Sequence, residues 1–287
     1  MIVVTGATGE LGSRVVGQLL ERLPAESVGV SVREPAKAAA LAERGVRVRA
    51  GDFTEPAGLA QAFEGADRVL VISAGIRDTD AAVAANTAAI DAARAAGAKR
   101  ILYTSHQAAS ADSLFAAMHT HARTEEYLAG LDVPFTALRN GYYATAIGLS
   151  LGGVRETGRL AVPVDGPFSW TGHDDLASVA VAALVEDGLL DGVTPPLTAP
   201  VALDFEAVAG VVGELLGRTV TRVVVGDDEW KDAAVSHGLP AAAADFVLGV
   251  FRAARRGEFA VTDPTLESIL GRPATSVRSV LAGLLTP

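Results

Sequence analysis

The sequence predicts an α/β protein built on a parallel, doubly wound sheet, and three observations indicate it. An apolar stretch at residues 2–4 leads directly into a glycine-rich turn and an amphipathic helical pattern. Strand-like and helix-like segments then alternate, with short connections, as far as residue 138. Residues 68–73 are almost wholly apolar, which is typical of a strand buried on both faces. Regular alternation with right-handed crossovers predicts a sheet of the Rossmann type.

Each element of this first half follows from a local pattern. Apolar residues three and four apart after the glycine turn predict the first helix, with Leu11, Val15, Val16, Leu19 and Leu23 on one face. Alternating valines at Val28, Val30 and Val32 predict the second strand. The remaining predicted strands are residues 46–51, 68–73, 100–105 and 135–138, and the remaining predicted helices are residues 36–44, 56–63, 80–96 and 111–131.

The regular alternation ends near Asn140. Segments rich in glycine and proline follow at residues 148–158, 163–167 and 195–196. Helices are predicted at residues 174–186 and 205–216, a strand at 220–225, and mostly helix from there to about residue 256. We therefore expect residues 1–140 to form a dinucleotide-binding domain and residues 141–287 a smaller, mostly helical substrate lobe. The lobe is expected to be interleaved with the first domain and to form one wall of a substrate cleft.

The turn after the first strand predicts a site for a dinucleotide pyrophosphate. Gly6 permits a tight turn, Gly9 lets the backbone approach phosphate groups, and Gly12 lets the helix pack close to the strand. The free N–H groups and the dipole of the helix that follows both favour an anion. The predicted contacts are Gly6, Ala7, Thr8, Gly9, Glu10, Leu11 and Gly12.

The residues after the second strand predict which dinucleotide binds. An acidic residue at this strand end binds the ribose hydroxyl of NAD, whereas arginine pairs with the 2′-phosphate of NADP. Arg33 comes first after the strand and Lys37 follows one helical turn later. Two cations favour NADP(H) over NAD(H), although Glu34 would become a ribose ligand if the register moved by one residue. The alternative is that Arg33 and Lys37 are surface charges at a helix start.

The ends of the next three strands supply further cofactor candidates. Asp52 is expected to accept a hydrogen bond from the adenine amine, with Phe53 packing nearby, or instead to cap the short helix that follows. Small residues at Ser73, Ala74 and Gly75 would let the backbone lie against a ribose. The hydroxyls of Thr104 and Ser105 could reach the nicotinamide ribose or the substrate.

Composition excludes several other classes of function. The 287 residues carry a formal net charge of −10, with 24 Lys and Arg, 34 Asp and Glu, and no basic block, which argues against nucleic-acid binding. There is no cysteine and only 5 histidines, so a metal site is not expected. No apolar run is long enough to span a bilayer, and no signal peptide is visible. We expect a soluble, cytoplasmic protein.

Several motifs together resemble those of a known family. They are the glycine turn, the Arg33 and Lys37 pair, and residues 51–53, 103–105, 121–125, 138–143, 174–177 and 266–273. The combination resembles the NmrA-like group, an atypical branch of the short-chain dehydrogenase/reductases, and within it the bacterial NAD(P)H:quinone oxidoreductases. The resemblance implies pyrophosphate contacts from Gly6 through Gly12 and a 2′-phosphate contact at Arg33 and Lys37. It also implies that Asn140, Tyr142 and Tyr143 lie beside the nicotinamide and the substrate pocket.

One departure from the wider superfamily bears on the chemistry. Its ordinary members use a Tyr-x-x-x-Lys pair on the helix before the sixth strand, whereas residues 117–121 of this chain contain neither, and His121 stands where the lysine would be. Hydride transfer to a quinone tolerates this loss, because the reduced product is a weak base and takes its proton from water. The protein then mainly positions the two reactants. His121 is expected either to contact a ribose or substrate oxygen or to be a partly exposed helix residue.

The sequence therefore leaves two main functions open, beside the reduction of a different acceptor, such as a dye or an activated alkene, on the same scaffold. The first is an NADPH-dependent oxidoreductase that passes hydride to a quinone or a similar conjugated acceptor, with His121, Asn140 and Tyr142 as candidate catalytic residues. The second is a non-catalytic NADP(H) sensor that acts through a protein partner. A Ser105, His106 and Asp112 triad can be drawn, but nothing around it resembles a nucleophile elbow. Oxidoreductases of this build are often dimers, so a homodimer is an expected assembly.

Overall fold

Seven parallel strands form the central sheet in the computed structural model, which describes residues 1–286. The strand order is β3-β2-β1-β4-β5-β6-β8. Strands β2 and β3 lie on one side of β1 and the later strands on the other, as in a doubly wound sheet, which confirms the predicted fold class. A separate parallel pair joins β7 to β9. The strands are β1 (Ile2–Thr5), β2 (Val28–Val32), β3 (Arg47–Ala50), β4 (Arg68–Val71), β5 (Arg100–His106), β6 (Phe135–Asn140), β7 (Arg159–Pro163), β8 (Gly192–Val193) and β9 (Thr221–Val225).

Twelve α-helices lie within the described residues, and four short 3₁₀ segments precede or connect other elements. The helices are α1 (Glu10–Leu20), α2 (Ala39–Glu43), α3 (Leu59–Phe63), α4 (Thr79–Ala95), α5 (Ala116–Ala129), α6 (Val154–Thr157), α7 (His173–Val185), α8 (Phe205–Leu216), α9 (Asp227–Ser236), α10 (Ala241–Arg255), α11 (Thr265–Leu270) and α12 (Val277–Leu284). The 3₁₀ segments are Ala25–Ser27, Pro35–Ala38, Pro56–Gly58 and Ala144–Ser150.

Helices cover both faces of the sheet because the strand side chains alternate between two cores. Leu70 of β4 packs with α1 and α7 on one face, while Val69 and Val71 pack with α3, α4 and α5 on the other. Burying a side chain of this size contributes about 1.5–3 kcal/mol, so both layers hold the strand ends rigidly. The carboxyl ends of β1, β4, β5 and β6 therefore form one fixed edge.

The chain beyond residue 140 contributes to both halves of the molecule. Helix α7 packs against α1, and β8 extends the sheet beyond β6. A second core, centred on Phe168, Trp170 and Phe205, joins the β7–β9 pair to α8, α10 and α12. This interleaved arrangement leaves the division at residues 140 and 141 as a prediction.

Some elements differ from the sequence-based expectation. Helix α5 begins at Ala116 rather than at residue 111, because the preceding loop is bound to another part of the chain. The N–H of Leu114 donates to Glu258 Oε1 at 3.0 Å, and the Ser113 hydroxyl bonds the same carboxylate. Strands β7 and β8 and helices α11 and α12 were not predicted. Both strands are short, and β7 alternates exposed and buried residues at the edge of a two-stranded sheet.

Candidate active site

The glycine turn between β1 and α1 is closed by its own backbone. Gly6 adopts a positive φ of 59°, and the N–H of Gly9 donates to Gly6 O at 2.9 Å. A Cβ atom at Gly12 would lie 2.2 Å from Gly6 O and 2.9 Å from the Cα of Ala7. Residue 12 must therefore be glycine if the helix is to begin this close to the strand.

The first turn of α1 leaves its N–H groups available. Gly9 precedes the helix with no side-chain cap, and the first bond back to it comes from the Ser13 N–H at 2.9 Å. Within residues 1–286, the N–H groups of Glu10, Leu11 and Gly12 donate to no other group. The side chain of Leu11 is buried in the core, so only its N–H is available to a ligand. Three free donors and the helix dipole would favour an anion at this end.

Of the two cations predicted to select the cofactor, one is paired with a carboxylate and the other is not. Arg33 is exposed directly after β2 and forms no ion pair within residues 1–286. Lys37 Nζ lies 2.7 Å from Glu34 Oε1. The hydrogen bond from Lys37 lowers the pKa of the Glu34 carboxyl. Arg33 is thus free to meet an anion, whereas Lys37 must first leave Glu34.

The loop after β4 is held by side chains from three neighbouring elements. The N–H groups of Ile72 and Ser73 donate to Thr5 Oγ1 and Thr104 Oγ1, each at 2.8 Å. The N–H of Ala74 donates to Asn86 Oδ1 at 2.9 Å. The predicted segment Ser73, Ala74 and Gly75 is therefore fixed at the sheet edge, and Thr104 serves to fix it. Sequence reasoning missed Thr5 and Asn86, although a single buried asparagine in the alanine-rich α4 was a signal.

Two predicted ligands engage their own surroundings. Asp52 Oδ1 accepts hydrogen bonds from the Thr54 N–H at 2.8 Å and the Thr54 hydroxyl at 2.7 Å, which lower the pKa of the Asp52 carboxyl. The carboxylate thus closes a local turn with Thr54, and it does not cap the short helix, which follows Glu55 and has no side-chain cap. Phe53 is half-buried against the core under α3 and α4. The adenine contacts of both residues stay predictions.

Ser105 points away from Thr104, because successive strand residues face opposite sides of the sheet. Its hydroxyl donates to Glu125 Oε1 at 2.5 Å. Arg139 binds the same carboxylate with Nε at 2.9 Å and Nη2 at 2.6 Å. The structure therefore places Ser105 in a buried polar cluster between β5, β6 and α5, and its contact with a cofactor stays a prediction.

The candidate catalytic residues His121 and Tyr142 meet through a third side chain, His106. The rings of His106 and His121 stack with centroids 6.1 Å apart and an interplanar angle of 26°. The rings of His106 and Tyr142 meet edge to face at 5.5 Å. Phe259, which follows α10, packs against His106 at 5.6 Å. The sequence pointed to neither His106 nor Phe259 as part of this site.

The segment after β6 separates its two tyrosines. Tyr142 packs against Phe168 at 5.0 Å and Phe259 at 4.9 Å, whereas Tyr143 packs on His173 at 4.2 Å. Asn140, at the end of β6, is buried, and its Oδ1 accepts no hydrogen bond in the described structure. This unpartnered acceptor lies at the same sheet edge as the loop after β4.

The imidazoles at this edge are neutral near pH 7. Burial lowers the pKa of His121 to about 4. Burial, followed by the neighbouring His121, holds the pKa of His106 well below its usual value. Burial also raises the pKa of Tyr142. The site therefore presents uncharged hydrogen-bonding groups.

A cavity of about 1160 Å³ opens beyond Tyr142 into the C-terminal lobe. Its walls are mainly apolar and aromatic, and they include Phe115, Trp230 and Phe251. The polar lining side chains include Arg159, Glu229 and His237. The cavity can take a flat, apolar molecule of several rings beside Tyr142.

Other arrangements drawn from the sequence do not assemble. Ser105 bonds Glu125, His106 Nδ1 accepts from the Ala108 N–H at 3.1 Å, and Asp112 is bonded to Ser110, so no triad forms. Residues 1–286 hold no group of three or more side chains able to bind a metal ion. None of the helices in this part of the chain has the length and apolar character needed to cross a membrane.

Comparisons with known proteins match nearly the whole chain. A family model described as NAD(P)H-binding matches residues 6–187. Quinone oxidoreductase 2 of Escherichia coli strain K12 is 32% identical over 285 residues, which cover 99% of this chain and 98% of that protein. An NmrA-like family domain-containing oxidoreductase of Aspergillus flavus is 29% identical over 290 residues, covering 99% and 94% of the two chains.

A solved structure agrees with these sequence relatives. The crystal structure of Citrobacter sp. triphenylmethane reductase complexed with NADP(H) superposes with a TM-score of 0.92 at 30% identity. The match covers 99% of this chain and 100% of that one. The predicted resemblance is therefore confirmed at the level of sequence family and fold.

Proposed function

We infer, from the finding that this chain belongs to the NAD(P)H-binding family, that it is an NADPH-dependent oxidoreductase acting on a quinone or similar conjugated acceptor. The proposal depends on one observation: two features that suit a cofactor and an acceptor lie at the carboxyl ends of the central strands. One is the uncapped start of α1 below the glycine turn. The other is the neutral cluster of His106, His121 and Tyr142 beside an apolar cavity. The first suits a dinucleotide, and the second suits a conjugated acceptor with a mainly apolar surface.

The cradle fits the pyrophosphate of the cofactor. The missing side chain at Gly12 and the free N–H groups of Glu10 and Leu11 leave room and donors for phosphate oxygens. Arg33 would pair with the 2′-phosphate, and Lys37 would join it after leaving Glu34. This arrangement favours NADP(H) over NAD(H), because only the former carries an anion at that position.

The nicotinamide end is proposed to lie along the ends of β4, β5 and β6. Bound NADPH supplies a hydride, which is one proton with two electrons. Asn140 Oδ1, which is buried and unpartnered within residues 1–286, would accept from the carboxamide. Tyr142 lines the cavity, and His121 would donate to an acceptor oxygen beside it. The reduced acceptor takes its balancing proton from water, so no charged acid is required.

The relatives support the acceptor class. The E. coli relative is named a quinone oxidoreductase, and the Citrobacter protein is named a triphenylmethane reductase. Quinones and triphenylmethane dyes are both conjugated molecules with a mostly apolar surface. The lining of the cavity is also mostly apolar, so it suits both classes. A homodimer, a cytoplasmic location and the absence of nucleic-acid binding stay predictions of composition and family. Light scattering of the purified protein tests whether it is a homodimer.

Steady-state oxidation of NADPH tests the proposed function. Loss of NADPH absorbance should accelerate on addition of benzoquinone, menadione or a triphenylmethane dye, and NADH should be used less well. A Gly12→Ala protein serves as the binding-deficient control. Tight binding of NADPH with no acceleration by any acceptor would reject the proposal, and it would favour a regulatory protein that senses NADP(H).

A further inference from the structure

A chain of hydrogen bonds connects the loop after β4 to His121. The N–H of Ala74 donates to Asn86 Oδ1 at 2.9 Å, and Asn86 Nδ2 donates to the phenol oxygen of Tyr103 at 3.2 Å. The phenol oxygen lies 2.9 Å from His121 Nδ1. Tyr103 and Asn86 are fully buried, so the phenol and the amide find their hydrogen-bond partners within the protein. The direction of each bond therefore follows from counting protons.

The proton count along this chain begins at Asn86, because its neighbours determine which way the side-chain amide is oriented. A backbone N–H can only donate, so the atom facing Ala74 is Oδ1, and Nδ2 must face Tyr103 and Thr124. Thr124 gives its own hydroxyl proton to the carbonyl of Thr120 at 2.8 Å. Both oxygens that face Nδ2 therefore act as acceptors.

The count continues at the phenol. Burial raises the pKa of Tyr103, so the phenol keeps its single proton. Its oxygen accepts from Asn86, and the partner best placed to take its proton is His121 Nδ1 at 2.9 Å, with the Thr124 hydroxyl as a second neighbour able to accept it. If Nδ1 carried a proton instead, the phenol would have to turn its proton from His121 toward the Thr124 hydroxyl, and its hydrogen bond to Nδ1 would be lost.

We propose that Tyr103 is a positioning residue that holds His121 as the neutral tautomer protonated at Nε2, so that Nε2–H donates a hydrogen bond to the acceptor. His121 Nε2 makes no hydrogen bond within residues 1–286. The atom is also not fully buried, so a ligand can reach it. The role of Nε2–H rests on the proposed function, whereas the tautomer does not. Asn86 acts through Tyr103 and ties the geometry of His121 to the loop after β4.

The groups around His121 support a neutral donor. His106, which stacks on it, accepts from the Ala108 N–H through Nδ1 and therefore carries its own proton on Nε2 when neutral. Tyr103 faces it from β5, and Glu125, one turn further along α5, is neutralised by Arg139. No unpaired charge among these neighbours favours an imidazolium.

Nitrogen-15 NMR of the histidine rings reads the tautomer directly in the full-length protein with NADP⁺ bound. A His121→Gln variant assigns the resonances. Between about pH 6 and pH 8, we expect a protonated Nε2 and an unprotonated Nδ1. In Tyr103→Phe, the two nitrogens should move toward averaged shifts, and the titration midpoint of His121 should rise because Nδ1 becomes free to take a proton. A wild-type spectrum with a protonated Nδ1 would overturn the proposal, even if the variant failed to fold.

Kinetics provides a second readout with a matched control. Tyr103→Phe should lower kcat for the acceptor by about three- to tenfold, the value of one neutral hydrogen bond, with the KM for NADPH changed less than about twofold. Tyr127→Phe removes a phenol that donates to Asp91 at 2.7 Å, on the same helix as His121, and should leave both constants unchanged. Equal effects of the two substitutions would also overturn the proposal. Absence of turnover in the wild type would reject the proposed function alone, because the spectrum still decides the tautomer.

Discussion

Glu34 Oε1 lies 2.7 Å from Lys37 Nζ, so one of the two cations that would select the cofactor is already paired. The pair is exposed and joins two residues three positions apart in the turn after β2, and such pairs contribute little to folding stability. The pair instead affects which cofactor binds, because Glu34 competes with the 2′-phosphate of NADP(H) for Lys37. Arg33 has no such competitor within residues 1–286.

Arg33→Glu should weaken binding of NADPH much more than binding of NADH. The change removes a charged contact to the 2′-phosphate and introduces a repulsive carboxylate, which together cost about 2 kcal/mol or more for NADPH. Calorimetric titration with each cofactor measures the two affinities. If both cofactors weaken equally, Arg33 does not lie at the 2′-phosphate.

Glu34→Gln should have the opposite effect. Loss of the carboxylate frees Lys37 and removes a negative charge near the phosphate, so NADPH should bind about two- to tenfold more tightly, while NADH changes little. Glu43→Gln, an exposed carboxylate at the end of α2, is the control for net charge. A similar gain in the control would mean that the effect comes from overall charge.

Gly12→Ala should abolish cofactor binding and destabilise the fold. The added Cβ would lie 2.2 Å from Gly6 O and so displace α1 or the turn, at a cost of about 1–3 kcal/mol. Gly17→Ala, on the same helix with open space around its Cα, should slightly stabilise the protein. Urea unfolding and NADPH titration of the pair separate the local clash from a general effect of alanine. Normal binding by Gly12→Ala would contradict the described turn.

Much of this site was predictable because its signals are local. The glycine turn and the strands from β1 to β6 depend on spacing within a few residues, whereas the pairing of Glu34 with Lys37 was not predicted. The meeting of His106 with Phe259 depends on how α10 ends against the sheet edge, and no local pattern encodes that distance. The short strand β8 forms only because β6 offers an open edge.

The stability of the protein should fall as the pH decreases from 6.5 toward 4, partly because of His121. Burial lowers the pKa of this histidine from 6.5 to about 4, so the unfolded chain binds more protons than the folded protein across that window. His121 stabilises the fold fully above pH 6.5, and the contribution is lost as the pH falls, at up to about 1.4 kcal/mol per pH unit. His106 and His173, also with lowered pKa values, act in the same direction.

Urea unfolding of wild type and His121→Gln across this range isolates the contribution. Glutamine cannot be protonated, so the variant should lose stability less steeply between pH 6.5 and about 4. Above pH 7 the two slopes should coincide, because the wild-type imidazole is neutral in the folded protein and largely neutral in the unfolded chain. Parallel curves across the acidic range would show that His121 is not held neutral by burial.

Trp230→Ala should affect large acceptors and spare small ones. Trp230 and Tyr142 both line the cavity, and a single-ring quinone cannot fill about 1160 Å³. Loss of the indole should raise the KM for a triphenylmethane dye by about fivefold, which corresponds to roughly 1 kcal/mol of apolar contact, while the KM for benzoquinone changes less than about twofold. Val235→Ala removes an exposed apolar side chain from the same helix, outside the cavity lining, and should change neither constant. A common change in KM for both acceptors in Trp230→Ala would mean that the substitution disturbs the nicotinamide end, and that the cavity does not distinguish acceptors by size.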